Sequence, residues 1–109
     1  MKKLYRIKRN EEFGKIIAVK QSEKSASFVA YYVNKSQPQA RVGISVSKKM
    51  GNAVERNRIK RQIREMIDDL IDFETYPLDL IIVARRSYLK RTFLFNKNDL
   101  ETLIKKAII

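Results

Sequence analysis

Lys48, Lys49, Arg56, Arg58, Lys60, Arg61 and Arg64 crowd the stretch between Lys48 and Glu65, and only Glu55 and Glu65 stand against them. Ammonium and guanidinium groups at this density do not build a catalytic apparatus. They build a surface for a polyanion, because each phosphate neutralised by a Lys or Arg releases a condensed counterion. Asn57 lies among them as a neutral hydrogen-bonding group.

A cationic run needs a rigid element to space it. Ile59, Ile63, Met66, Ile67, Leu70 and Ile71 recur at intervals of three and four, so the same stretch reads as a helix with one buried stripe. At about 100° per residue, Asn57, Lys60, Arg61 and Arg64 fall together on the other side. Asn52 is placed to cap the first turn, Glu55 to reach back in a capping box, and Gly51 to permit the sharp entry. Asp68, Asp69, Asp72 and Glu74 then form an acidic cluster unsuited to a helix C-terminus, and Pro77 forbids continuation, so the helix is expected to fray between Leu70 and Tyr76.

The chain of 109 residues has room for one core and reads as a single domain spanning 1–109. Its formal charge of +12 points to a polyanionic partner, nucleic acid before membrane. No apolar run approaches the roughly 18 residues of a bilayer span, the longest being Leu80 to Ala84. The Met1 to Arg9 segment is basic but lacks the apolar stretch of a secretory signal, so a cytoplasmic location and no membrane partner are expected. Cysteine and histidine are absent, which removes disulfides, thiolate nucleophiles, zinc clusters and the commonest general base. Asp68, Asp69 and Asp72 are oxygen donors of the type Mg²⁺ takes, but adjacent aspartates diverge on a helix, and a solvated face balancing nearby arginines is the preferred reading. No catalytic residue and no metal ligand is assigned to the protein.

The remaining pattern predicts an α/β sandwich of the α+β kind, a small mixed sheet of about four strands packed with three helices. Asn10 is expected to cap a first helix carrying Glu11 and Glu12 in its first turn and Phe13, Ile16 and Ile17 as an apolar stripe. Ser25 to Asn34 reads as an aromatic, β-branched strand, Ser36 to Gln39 as a turn, and Arg41 to Ser47 as an alternating, half-buried strand. A further short edge strand is placed before the long helix. Leu78 to Ala84 reads as a central strand covered on both faces, and Asn98 to Ile109 as a third helix capped by Asn98 with Glu101 in its first turn. If the basic helix joins two parallel strands, general chirality predicts a right-handed crossover, as in about 98% of such units.

The run from Ser45 to Glu65 (Ser-Val-Ser-Lys-Lys-Met-Gly-Asn-Ala-Val-Glu-Arg-Asn-Arg-Ile-Lys-Arg-Gln-Ile-Arg-Glu) resembles the signature of the protein subunit of bacterial ribonuclease P. The resemblance extends to Arg6 through Phe13, Ser27 through Tyr31, Arg41 through Ser45 and Asp79 through Arg85, in the expected order. It implies a ribonucleoprotein endonuclease that removes the 5′ leader from precursor tRNA, in which the RNA performs the chemistry with Mg²⁺. It also implies a left-handed crossover, against the general expectation. By position, it implies that Lys48, Lys49, Arg56, Asn57, Arg58, Lys60, Arg61 and Arg64 face the catalytic RNA, and that Phe13, Ile17, Phe28 and Tyr31 line a cleft for the single-stranded leader. The implied partners are the catalytic RNA and precursor tRNA, with the protein alone monomeric and Mg²⁺ required by the particle rather than held by the protein. Ile17 stands where relatives often carry an aromatic, and Lys20 where they often carry glycine.

Phe13, Phe28 and Tyr31 read most simply as core residues when taken on their own, and Arg85, Arg86, Lys90 and Arg91 as a solvated loop. A ribosomal-type structural RNA-binding protein would share the charge and the small fold. A DNA-binding regulator fits less well, since the chain offers no helix-turn-helix pair and no zinc ligands.

Overall fold

The structure, a computed structural model, describes residues 1–108. The long helix α2 (Ala53–Leu70) starts with the anticipated capping box: Glu55 N donates to Asn52 Oδ1 at 2.9 Å, and Asn52 N donates to Glu55 Oε1 at 3.3 Å. Gly51 precedes it at φ 142°, where a Cβ would meet the Glu55 carboxylate at 2.9 Å. Ile59, Ile63, Met66 and Ile67 form its buried stripe. The helix stops at Leu70, inside the expected window. Ile71 is already extended, and Asp72 turns the chain by accepting from Glu74 N at 3.0 Å.

Four strands, β1 (Ser22–Lys24), β2 (Phe28–Asn34), β3 (Val42–Ser45) and β4 (Leu78–Ala84), form one mixed sheet in the order β1-β2-β4-β3. β2 runs antiparallel to β1 and β4, whereas β3 and β4 are parallel and joined through α2. β4 is buried at six of its seven positions, as a strand covered on both faces must be. One face of the sheet, carrying Phe28, Ala30, Val42, Leu80 and Ile82, packs with α2 and with α3 (Phe93–Ala107). The other face presents Ile81 to Ile16 of α1 (Asn10–Ala18) and to Ile7. The N-terminal segment shields the β3 edge: Ile7 N donates to Val42 O at 3.1 Å, and Tyr5 stacks on Phe73 at 4.2 Å.

Local differences from the sequence expectation have identifiable causes. β2 begins at Phe28 rather than Ser25 because Asp99 of α3 draws the preceding residues away, accepting from Ser25 Oγ at 2.6 Å and Ser27 N at 2.9 Å. The short edge strand precedes β2 instead of following β3. β3 ends at Ser45, since Ser47 Oγ accepts from Lys49 N and opens a 3-10 turn, Lys48–Met50. Asn10 is the first residue of α1, not its side-chain cap; Arg9 holds the cap position. Asn98 lies inside α3, which is capped six residues earlier by Thr92, whose Oγ1 accepts from Phe95 N. The buried stripe of α3 runs through Asn96, a polar residue that interrupts the apolar pattern but is satisfied by Ser27 Oγ at 2.6 Å and Tyr88 O at 3.2 Å. Of the expected third helix, Ile109 lies outside the described residues.

Two positions on the α1 side are conformationally demanding. Lys20 adopts φ 63° just beyond α1, where its N donates to Ile17 O, the left-handed position that glycine occupies without a Cβ penalty. Gly43 lies under the ring of Phe13: a Cβ there would stand 2.6 Å from Phe13 Cζ and 2.8 Å from Ile81 Cδ1. Lys20→Gly is therefore expected to raise stability by about 0.5–1 kcal/mol, as a shift in urea midpoint at constant slope. Gly43→Ala should destabilise by roughly 1–3 kcal/mol, and a double-mutant cycle with Phe13→Ala should recover part of that loss. Strict additivity in that cycle would show that the two residues do not compete for the same space.

Candidate nucleic-acid interface

The cations of α2 divide into three directions. Arg61 and Asn57 point to solvent. Lys60 and Arg64 turn toward the β3 edge, and with Arg6, Lys8, Phe13 and Ser45 they line a hollow of about 420 Å³. Arg58 leaves the set anticipated for a single face: it lies on the opposite flank, in a second hollow shared with Gln62 and α3. Lys48 and Lys49 are exposed on the turn before the helix, and half-buried Arg56 donates through Nη1 to Gly51 O at 3.2 Å.

None of these cations forms an ion pair among the described residues. The acids near the end of α2 are engaged elsewhere, Asp68 with the Met1 amino group at 2.7 Å and Asp69 with Lys97 at 2.9 Å. Burial and the neighbouring positive charge of Arg6 both lower the Arg64 pKa from its ordinary value. The hollow thus holds concentrated positive charge, and no acid among the described residues lines it. An incoming phosphate would relieve that repulsion.

Beside this charge lies an aromatic surface set by sheet register. Tyr31, Ile81 and Gly43 are paired in one row across β2, β4 and β3. Because Gly43 carries no side chain, the Phe13 ring rests on the sheet there, at one end of the row, with half-buried Tyr31 at the other. Ile17 is exposed on α1, outside the charged hollow. Val33 and Val83 pack on the same face and complete its apolar lining.

Phe28 does not join this cleft. Its side chain is fully buried on the other side of the sheet and meets Tyr88 edge-on, with ring centroids 5.6 Å apart. Strand alternation accounts for the correction: residues three apart on β2 point to opposite faces, so Phe28 and Tyr31 cannot share one groove. The same alternation, applied from Tyr31, finds Val33. Arg6 and Ser45 also belong to the charged hollow, Ser45 from the end of β3 and Arg6 through the docking of the N-terminal segment along that strand.

The described carboxylates do not fit a metal site on the protein. Among the described residues no three acids converge, and Asp68 and Asp69 are each committed to a cation.

A family model described as Ribonuclease P matches residues 1–108. The ribonuclease P protein component of Bacillus cereus strain B4264 is 42% identical over 108 residues, covering 98% of this chain and 94% of the relative. The RNase P protein of Staphylococcus aureus superposes with a TM-score of 0.82 at 40% identity, covering 94% of each chain. That of Thermotoga maritima superposes at 0.79 with 25% identity, over 93% of this chain and 96% of the other. With the fold and the sequence match over residues 1–108 in agreement, the chain belongs to the ribonuclease P protein family.

Proposed function

We propose that this protein is the accessory subunit of ribonuclease P, binding the catalytic RNA through α2 and the 5′ leader of precursor tRNA through the Phe13–Tyr31 face. The observation that carries the reading is that Arg56, Arg58, Lys60, Arg61 and Arg64 are fixed on one rigid helix without an anionic partner among the described residues. Guanidinium groups at fixed spacing match backbone phosphates bidentately and suit an RNA recognised by shape. The leader, being unpaired, offers base faces; Phe13 beside Lys60 and Arg64 supplies stacking next to charge, and Tyr31 extends the apolar face across the sheet.

In this reading Mg²⁺ would be held by the RNA rather than by residues of this chain, and would supply activation of water and charge stabilisation there. The protein positions the substrate and screens repulsion between two polyanions. The β3–α2–β4 crossover takes the left hand implied by the family. The chain alone is a monomer, and a cytoplasmic place follows from its tRNA substrate. Among the described residues no helix is long and apolar enough to cross a membrane.

Reconstitution tests the proposal. Adding the purified chain to a bacterial ribonuclease P RNA at low Mg²⁺ should restore correct 5′ cleavage of a precursor tRNA, and cleavage by the protein without RNA would refute it. Replacing Arg61 and Arg64 together by alanine should weaken assembly with the RNA and lower the log–log salt slope by roughly 0.7–0.9 per lost phosphate contact, measured by filter binding. Tyr31→Ala should weaken precursor binding while sparing mature tRNA. Equal losses for the two substrates would remove Tyr31 from the leader site.

A further inference from the structure

We infer that the hollow between α2 and the start of α3 is a second RNA-binding groove, which seats an unpaired nucleotide of the catalytic RNA against Phe93 with flanking phosphates on Arg58 and Arg91. The inference rests on the proposed function and adds a site to it. The groove encloses about 180 Å³ and is lined by Arg58, Gln62, Tyr88, Leu89, Arg91 and Phe93. That space admits a flat ring system but no folded element, whose diameter would be about 10–12 Å for a helix.

The groove floor is rigid. Tyr88 is buried, with its hydroxyl donating to Gln62 Oε1 at 2.7 Å and its ring against Phe28, and burial pushes its pKa up to about 12. Asn96, also buried, donates to Tyr88 O and accepts from Ser27 Oγ, locking the 3-10 turn Arg86–Lys90 to α3 and the sheet. The rim is apolar and exposed: Leu89 is 51% accessible and Phe93 39%. Arg91 is held in place by lying over the Phe95 ring, 4.4 Å from its centroid, which leaves a pre-set guanidinium beside an open aromatic face.

Charge selects the occupant. Neither Arg58 nor Arg91 has an acidic partner among the described residues, and Arg86 and Lys90 add to the same field. A second copy of a chain carrying +12 would be repelled from such a patch, whereas RNA satisfies both its charge and its aromatic face. Position selects which RNA. Arg58 and Gln62 lie roughly 160° around α2 from Lys60 and Arg64, so the helix body separates this groove from the hollow beside Phe13. An RNA docked on exposed Arg61 straddles the helix and reaches Arg58 directly, while a leader lying along Phe13 does not.

The test uses the reconstituted particle. Phe93→Ala should weaken binding of the ribonuclease P RNA about 5- to 20-fold, with the preference for precursor over mature tRNA intact, and Phe93→Tyr should restore affinity. Thermal unfolding of the free protein checks that the fold survives. If Phe93→Ala proves destabilised, Arg91→Gln at an exposed position carries the test through a lowered salt slope for the same RNA. Unchanged RNA affinity in the folded variants overturns the inference. So does a selective loss of precursor binding, which would assign the groove to the leader, or a wild-type dimer that Phe93→Ala dissociates in sedimentation, which would assign it to a second copy. If the unaltered chain fails to support cleavage, the proposed function itself falls; if it succeeds and the variants match it, only the second groove does.

Discussion

Helix α2 must sit firmly in a dry core while carrying five cations that no acid among the described residues neutralises. The magnitudes show how this is tolerated. Two like charges about 6 Å apart on a solvated helix repel by about 0.7 kcal/mol at the dielectric constant of water. Burying a side chain such as Ile59, Ile63, Met66 or Ile67 contributes roughly 1.5–3 kcal/mol each. The apolar stripe therefore holds the helix in place against its own charge, and the repulsion persists as a standing preference for an anion. The capping box at Asn52 and Glu55 fixes where the helix starts and so where each cation points.

The rest of the architecture arranges what lies beside that charge. Because α2 connects β3 to β4, it is laid next to the edge strand, and the N-terminal segment that shields this edge brings Arg6 and Lys8 opposite Lys60 and Arg64. Arg41 ties α1 to the sheet by bridging Glu12 at 2.8 Å and buried Asp79 at 3.4 Å, which steadies the helix that carries Phe13. The absent side chain of Gly43 lets that ring approach the sheet closely. An aromatic surface and a cationic hollow thus meet at one strand edge, the combination an unpaired polyanionic strand requires. On the other flank, α3 and the turn before it repeat the combination with Phe93 and Arg91 beside Arg58.

Much of this was legible in the order of residues, for reasons that are local. The stripe at spacings of three and four, the Asn52–Glu55 cap and the apolar run of β4 depend on neighbours within a few positions; the cap and β4 appear as read, and the stripe holds from Ile59 to Ile67, with Leu70 half-buried and Ile71 already beyond the helix. Misreadings arose where a distant group intervened. Asp99 shortens β2, and the buried partners of Asn96 extend α3 through a residue that looks like a break. Phe28 is different, since period-two alternation already set it opposite Tyr31; the family-based grouping of the two ran against a rule visible in the chain.

Sequence by itself determined the charge, the element that bears it and the absence of histidine and cysteine chemistry, because composition and helical periodicity require no knowledge of what lies across the fold. Only the tertiary structure decided how the cations divide. Arg58 is two residues from Lys60 and three from Arg61, yet the packing of α2 between the β3 edge and α3 sends Arg58 to one groove and Lys60 to the other, leaving Arg61 in solvent between them. The physical reason is that a helix sets the angle between its side chains, while what those side chains face depends on the elements packed along each flank.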